Sequence, residues 1–224
     1  MSKSERFSWF NANAARAVAS VYGILVGLAS IEHGIFEMLQ GNVAPDGYFF
    51  DAIGDAYRFW PGAREYAVTI IPNLLLTGIL AIVFGSLVAI WSARFVQRKY
   101  GSTIFLLLAL TVFLVGGGFA PIFLTLLGVG AATRIGKPLN WWRSRLPAGA
   151  RHALAEAWPW ILIIFVFVFW GAVGIQVFGL PADAGTIGVL MAVLSIAMVT
   201  LMPLAVMSGL AYDAQKPLAT DQAS

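Results

Sequence analysis

Residues 161–170 read Ile-Leu-Ile-Ile-Phe-Val-Phe-Val-Phe-Trp without one charged or amide side chain, inside a longer apolar run at 158–178. A helix rises 1.5 Å per residue, so about 20 residues cross the roughly 30 Å hydrocarbon layer of a bilayer. Three further runs meet that length, at 17–39, 67–91 and 186–210. Lipid offers the backbone no hydrogen-bond partners, so each run must close its own bonds as a helix or join a closed barrel. A barrel needs short segments of alternating polarity, which an unbroken apolar decade is not. Only 11% of the 224 residues are charged and 59% are hydrophobic, whereas a soluble globule carries about a quarter charged. The chain therefore reads as an all-α integral membrane protein. Its single membrane domain occupies 17–211, between a cytoplasmic lead-in at 1–16 and a short polar cytoplasmic tail at 212–224. The first apolar run exceeds a signal-peptide core and lacks a small-residue cleavage pattern, so a secretion signal is not expected.

The stretch 102–133 is too long for one ordinary span, and Gly116, Gly117, Gly118 and Pro121 interrupt it. Consecutive glycines weaken a helix by about 1 kcal/mol each, and proline suits a helix's first turn. Two short helices, 102–116 and 118–133, are expected around a glycine turn. Each arm reaches only about 20 Å, so a re-entrant hairpin competes with two thin full spans. Charge favours either hairpin over a single kinked span. Arg94, Arg98 and Lys99 precede it, and Arg134, Lys137, Arg143, Arg145 and Arg151 follow it. Short loops rich in Lys and Arg stay cytoplasmic. Six membrane segments with both termini inside leave only Arg58 and Arg64 of the 14 basic residues outside. Trp91, Trp141, Trp142, Trp158 and Trp160 then fall near inner ends, where indoles favour headgroups. In the outer segment, Phe50, Ile53, Tyr57 and Trp60 recur at helical spacing, which suggests a short helix lying on the leaflet.

Chemistry concentrates in Glu32-His33 and Glu37, within the outer part of the first run. Ionisable groups in a membrane cost a few kcal/mol when charged, and so face protein or water and are candidates for function. His33 and Glu37, four apart, share a helix face, while Glu32 points about 100° away from His33. Asn73 lies at a similar expected depth in the second run, flanked by Thr69 and Thr77, and Pro72 beside it can free a carbonyl. Glu32, His33, Glu37 and Asn73 are thus the candidate polar or ion-binding residues. One reading is a hydrated cavity that binds or relays a cation or proton; its rival is an interhelical clamp, since polar side chains also join helices in membranes. Asp46 and Asp51 of the outer loop are expected to be solvated.

Other chemistries find little support. With no Cys there are no disulfides, thiolate sites or cysteine nucleophiles, and a metal site on His33 and Glu37 lacks a third ligand, because the other histidine, His152, falls on the opposite side. No cofactor motif or catalytic constellation appears, so an enzyme is the less favoured class. The net charge of +3 reflects topology rather than nucleic-acid binding. The bilayer is the expected partner, with anionic lipid contact through the Arg143/Arg145 loop, and a homo-oligomer or larger membrane complex is compatible with the sequence.

At Glu32-His33-Gly34, Ile71-Pro72-Asn73 and Gly116-Gly117-Gly118-Phe119-Ala120-Pro121, the chain resembles a group of uncharacterised prokaryotic multi-pass membrane proteins. The resemblance implies a bacterial or archaeal plasma membrane and carries no activity. The function expected from the residues is a small transporter or ion- or proton-translocating protein using the outer polar layer, against a non-catalytic scaffold or accessory subunit.

Overall fold

The computed structural model describes residues 13–119 and 121–216. Four long helices have the length and apolar character to cross a membrane: α1 (Ala14–Leu39), α2 (Leu74–Arg94), α6 (Ala148–Phe178) and α7 (Ala184–Asp213). Two shorter apolar helices, α3 (Gly101–Leu114) and α4 (Pro121–Ala132), form the expected hairpin, and α5 (Asn140–Arg145) precedes α6. A two-stranded antiparallel sheet, β1 (Phe49–Asp51) with β2 (Tyr66–Val68), lies between α1 and α2.

Helix α1 is the axle of the bundle. It packs against α2, α4 and α7, and two-thirds of its most apolar window is buried, against 6% for α7. Its N-terminus is doubly capped. Asn13 accepts from the Arg16 amide at 2.8 Å, and the Asp213 carboxylate accepts from the Ala14 and Ala15 amides at 3.0 and 2.8 Å, so the end of α7 satisfies donors that α1 cannot. Between α1 and α2 the backbones touch. A Cβ on Gly27 or Gly34 would collide with the carbonyl of Gly85 or Gly78, and the reverse holds for each partner. In lipid, where burying apolar surface drives little association, such close van der Waals approach is a main source of helix affinity.

The sheet corrects the all-α expectation, and with it two local ones. Residues 67–73 are not helical: β2 pairs with β1 in the register Phe50 opposite Ala67, and α2 begins only at Leu74. Nor do residues 50–60 form a surface helix. Phe50 is in a strand, Asp55–Tyr57 is a single 3-10 turn, and Ile53 is buried beside Ala63 and Val177. Competition for backbone partners explains both. The hairpin tip is level with Ser30 to Glu37 of α1, short of that helix's end, and the extended segment 66–70 covers it. Phe119 and Gly116 amides donate to the Tyr66 and Val68 carbonyls at 3.0 and 2.9 Å, and Ile70 donates to Leu114 at 3.0 Å. A helix over 66–70 would have kept those groups to itself.

The remaining boundaries shift less. Helix α6 starts ten residues before the apolar run at 158, α1 and α7 extend by a few residues, and the hairpin arms stop at Leu114 and restart at Pro121. Trp158 does not face outward; it is buried against the bundle, its ring 5.5 Å from that of Tyr212 near the end of α7. Residues 1–12 of the lead-in and 217–224 of the tail lie outside the described residues.

Candidate functional site

The site is built from two elements far apart in sequence. Helix α1 supplies Glu32 and His33; the segment leading into β2 supplies Glu65. The strand pair places Glu65: its amide donates to Asp51 Oδ1 at 3.1 Å and its carbonyl accepts from Ala52 at 2.7 Å. The segment is anchored to α6 as well, because Gln176 Nε2 donates to the Gly62 and Arg64 carbonyls at 3.0 and 2.7 Å while Trp60 Nε1 donates to the Gln176 carbonyl at 2.9 Å.

His33 stands between the two carboxylates. Glu32 Oε2 is 3.1 Å from Nδ1 and Glu65 Oε2 is 3.3 Å from Nε2, with all three side chains largely buried. Nδ1 also lies 3.0 Å from the Ala29 carbonyl, an acceptor that fixes a proton on that nitrogen. Nε2 and Glu65 Oε2 therefore face each other lone pair to lone pair unless a proton or other cation lies between them. Glu65 Oε2 and both oxygens of Glu32 are buried, and beyond the His33 ring nitrogens no well-aligned protein donor reaches them. Burial holds the Glu65 carboxyl above the ordinary carboxylate range; the charge of His33 opposes this, and that of Glu32 adds to it.

Glycine makes room for the ring. Gly118 has φ +88°, and a Cβ there would stand 2.6 Å from His33 Nε2. Ser30 Oγ, one turn before His33, lies 3.0 Å from the Gly117 carbonyl, which ties the hairpin tip to α1. The same tip covers Glu37. That carboxylate is fully buried against Thr77 and Gly116, and no protein donor reaches either oxygen. Glu37 shares the helix face of His33, as its spacing implies, without joining the ion pairs.

Asn73 lies apart from this cluster. It caps α2, accepting from the Leu76 amide at 2.9 Å and donating to Asn42, while the Val43 and Gly41 carbonyls accept from Leu74 and Leu75. Every free donor of the first turn is thereby satisfied. Thr69 and Thr77, expected on one helix face, do meet at 3.0 Å, but Thr69 does so from the loop. Asp51 is not simply solvated: it pairs with Arg58 at 2.7 Å and lies 3.9 Å from Arg64 Nε.

Glu65 is the member that the sequence hid. It reads as one more loop acid, and only the extended segment folding back over the hairpin tip delivers it to His33. The donor atoms of Glu32, His33 and Glu65 lie within 4.8 Å of one another, close enough for a shared cation. Beside them runs a groove of about 450 Å³, with His33, Glu65, Arg64 and Gln176 among its polar lining and Phe49, Tyr66, Phe119, Phe123 and Phe169 among its apolar lining. Comparison with protein-family models, curated proteins and solved structures found no match to this chain.

Proposed function

We propose that this multi-pass membrane protein is a small transporter or ion-translocating protein, and that Glu32, His33 and Glu65 take up and release one cation or proton. The observation that carries the reading is the pair His33 Nε2 and Glu65 Oε2, 3.3 Å apart and drawn from different elements. With a proton on Nδ1 bonded to Ala29, a neutral ring and an ionised carboxylate repel across that gap. A positive charge between them removes the repulsion, and the buried oxygens of Glu32 can share it. A site whose occupancy decides whether two elements attract or repel can couple ion binding to movement.

The orientation belongs to the same proposal. The basic residues Arg94, Arg98, Lys99, Arg134, Lys137 and Arg143 lie toward the bundle end opposite the sheet, so that end is assigned to the cytoplasm, with both termini, and the site to the outer half. Contact with anionic headgroups through Arg143 and Arg145, on α5, is part of the same proposal, supported by the exposed charge of Arg145 at that end, while Arg143 also donates to the Lys216 carbonyl. From the family resemblance, the membrane is that of a bacterial or archaeal cell. In intact cells an impermeant thiol reagent should label Gly47→Cys and Ala184→Cys but not Lys137→Cys; labelling of the last inverts the assignment.

Reconstituted vesicles with a trapped pH dye test the function. The wild-type protein should dissipate an imposed proton or cation gradient faster than empty vesicles, and His33→Gln and Glu65→Gln should each return the rate to the empty level. A wild type no faster than empty vesicles contradicts the reading. The scaffold reading has its own support, since the cluster also clamps α1 to the strand segment; co-purification of a stoichiometric partner without flux would favour it.

A further inference from the structure

The groove beside the cluster is a substrate-sized space with two chemically different parts. At one end stand His33 and Glu65, with Glu32 behind His33. The walls are aromatic and aliphatic: Phe49 and Tyr66 from the strands, Phe119 and Phe123 from the hairpin, Phe169 from α6 and Met198 from α7. About 450 Å³ is within the range of pockets that enclose small organic ligands. Phe49 and Tyr66 stack at 4.9 Å, and Phe119 meets Phe49 edge-on at 6.4 Å, so the wall near the polar end is a set aromatic surface.

We infer that this groove binds a monovalent amphiphilic organic cation, its positive centre at Glu65 and its apolar part along the aromatic wall; the inference rests on the cluster reading above and names its substrate class. Charge complementarity selects the occupant. Glu32 and Glu65 bring two carboxylates to one imidazole, and beyond that ring no well-aligned protein donor reaches Glu65 Oε2. The basic side chain on the lining, Arg64, faces Asp51 at 3.9 Å, and Asp51 also holds Arg58. A cation at the polar end can take the place of the proton that burial favours on Glu65, and aromatic faces add to the attraction. An anionic or neutral lipid chain would fill the walls and leave the carboxylate unmatched. A small inorganic ion would use the carboxylates and leave the walls without a role.

The test is equilibrium binding of tetraphenylphosphonium to the full-length protein in a non-ionic detergent. Wild type should bind it saturably. Glu65→Gln, which keeps the shape of the side chain, should weaken binding at least tenfold. Val199→Trp, on the α7 wall and away from the charges, should weaken it similarly by filling the groove. Thermal unfolding and size-exclusion profiles confirm that each variant is folded, and Val199→Trp keeps the test decisive if Glu65→Gln is not. Absence of saturable wild-type binding overturns the inference, as do wild-type affinity in both variants or a co-purified phospholipid that the probe fails to displace. The cluster reading is measured separately, by whether Glu65→Gln alters the ring-nitrogen resonances of His33. Coupled resonances without probe binding leave the cluster standing and remove only the organic cation.

Discussion

Replacing Gly118 with alanine loads two costs onto one position. The residue sits at φ +88°, a region that costs an L-residue about 1–2 kcal/mol. The new methyl would also stand 2.6 Å from His33 Nε2, and forcing an atom into a packed site adds about 1–3 kcal/mol. The ring cannot easily retreat, because Ala29 holds its other nitrogen and Glu32 flanks it. The expected loss is about 2–5 kcal/mol, or a Tm lower by about 5–15 °C for a chain of this length. Thermal unfolding in mild detergent measures it, with Gly130→Ala as the control. Gly130 lies in α4 with open space around it, so alanine there should be neutral or stabilising by up to about 1 kcal/mol. If Gly118→Ala unfolds within a degree of wild type, the hairpin tip does not press on His33 and the site is described wrongly.

Gly34→Leu should separate α1 from α2, because the side chain meets the Gly78 carbonyl; a loss of about 3 kcal/mol or more in detergent is expected, and a folded variant of wild-type stability would refute the backbone contact. Asn73→Ala removes the α2 cap and should cost about 1 kcal/mol while leaving vesicle flux unchanged, since Asn73 lies outside the cluster; a specific loss of flux at unchanged stability would place it inside. Glu37→Gln should match or exceed wild-type stability, because the buried carboxylate has no protein donor to lose; a drop in Tm of more than about 4 °C, roughly 1 kcal/mol or more, would reveal a bond that the geometry does not show.

Much of this architecture was legible because long apolar runs leave the backbone little choice. A run such as 158–178 has no satisfactory state in lipid except a helix, and Gly116 to Gly118 before Pro121 can only turn. The second long helix begins seven residues after its apolar run does, for the opposite reason. Residues 67–73 are apolar enough to continue the helix, and what removes them is a partner, the hairpin tip, whose unmet carbonyls and amides no local pattern records. The same long-range pairing carries Glu65 to His33, so the site was half visible: Glu32 and His33 announce themselves as ionisable residues inside a span, whereas Glu65 sits in a loop where acids are ordinary. Gly27, Gly34, Gly78 and Gly85 fall at seven-residue spacing on both helices, a signal that was present in the sequence and is explained only by their facing carbonyls. Asn73 was recognised as polar at depth, and its cap role follows once the helix is seen to begin beside it.

The central claim is that Glu32, His33 and Glu65 form one charge-coupled unit across two elements, and histidine nitrogen spectroscopy tests it most directly. The chain has two histidines, and His152, with its own partner Glu156 at 3.2 Å, is exposed at the far end of the bundle. In protein labelled with ¹⁵N at histidine, Glu65→Gln and Glu32→Gln should each move the His33 ring resonances and leave those of His152 in place. His33 resonances that ignore Glu65→Gln in a folded protein would show that the loop carboxylate never reaches the ring, and the proposed site would be withdrawn.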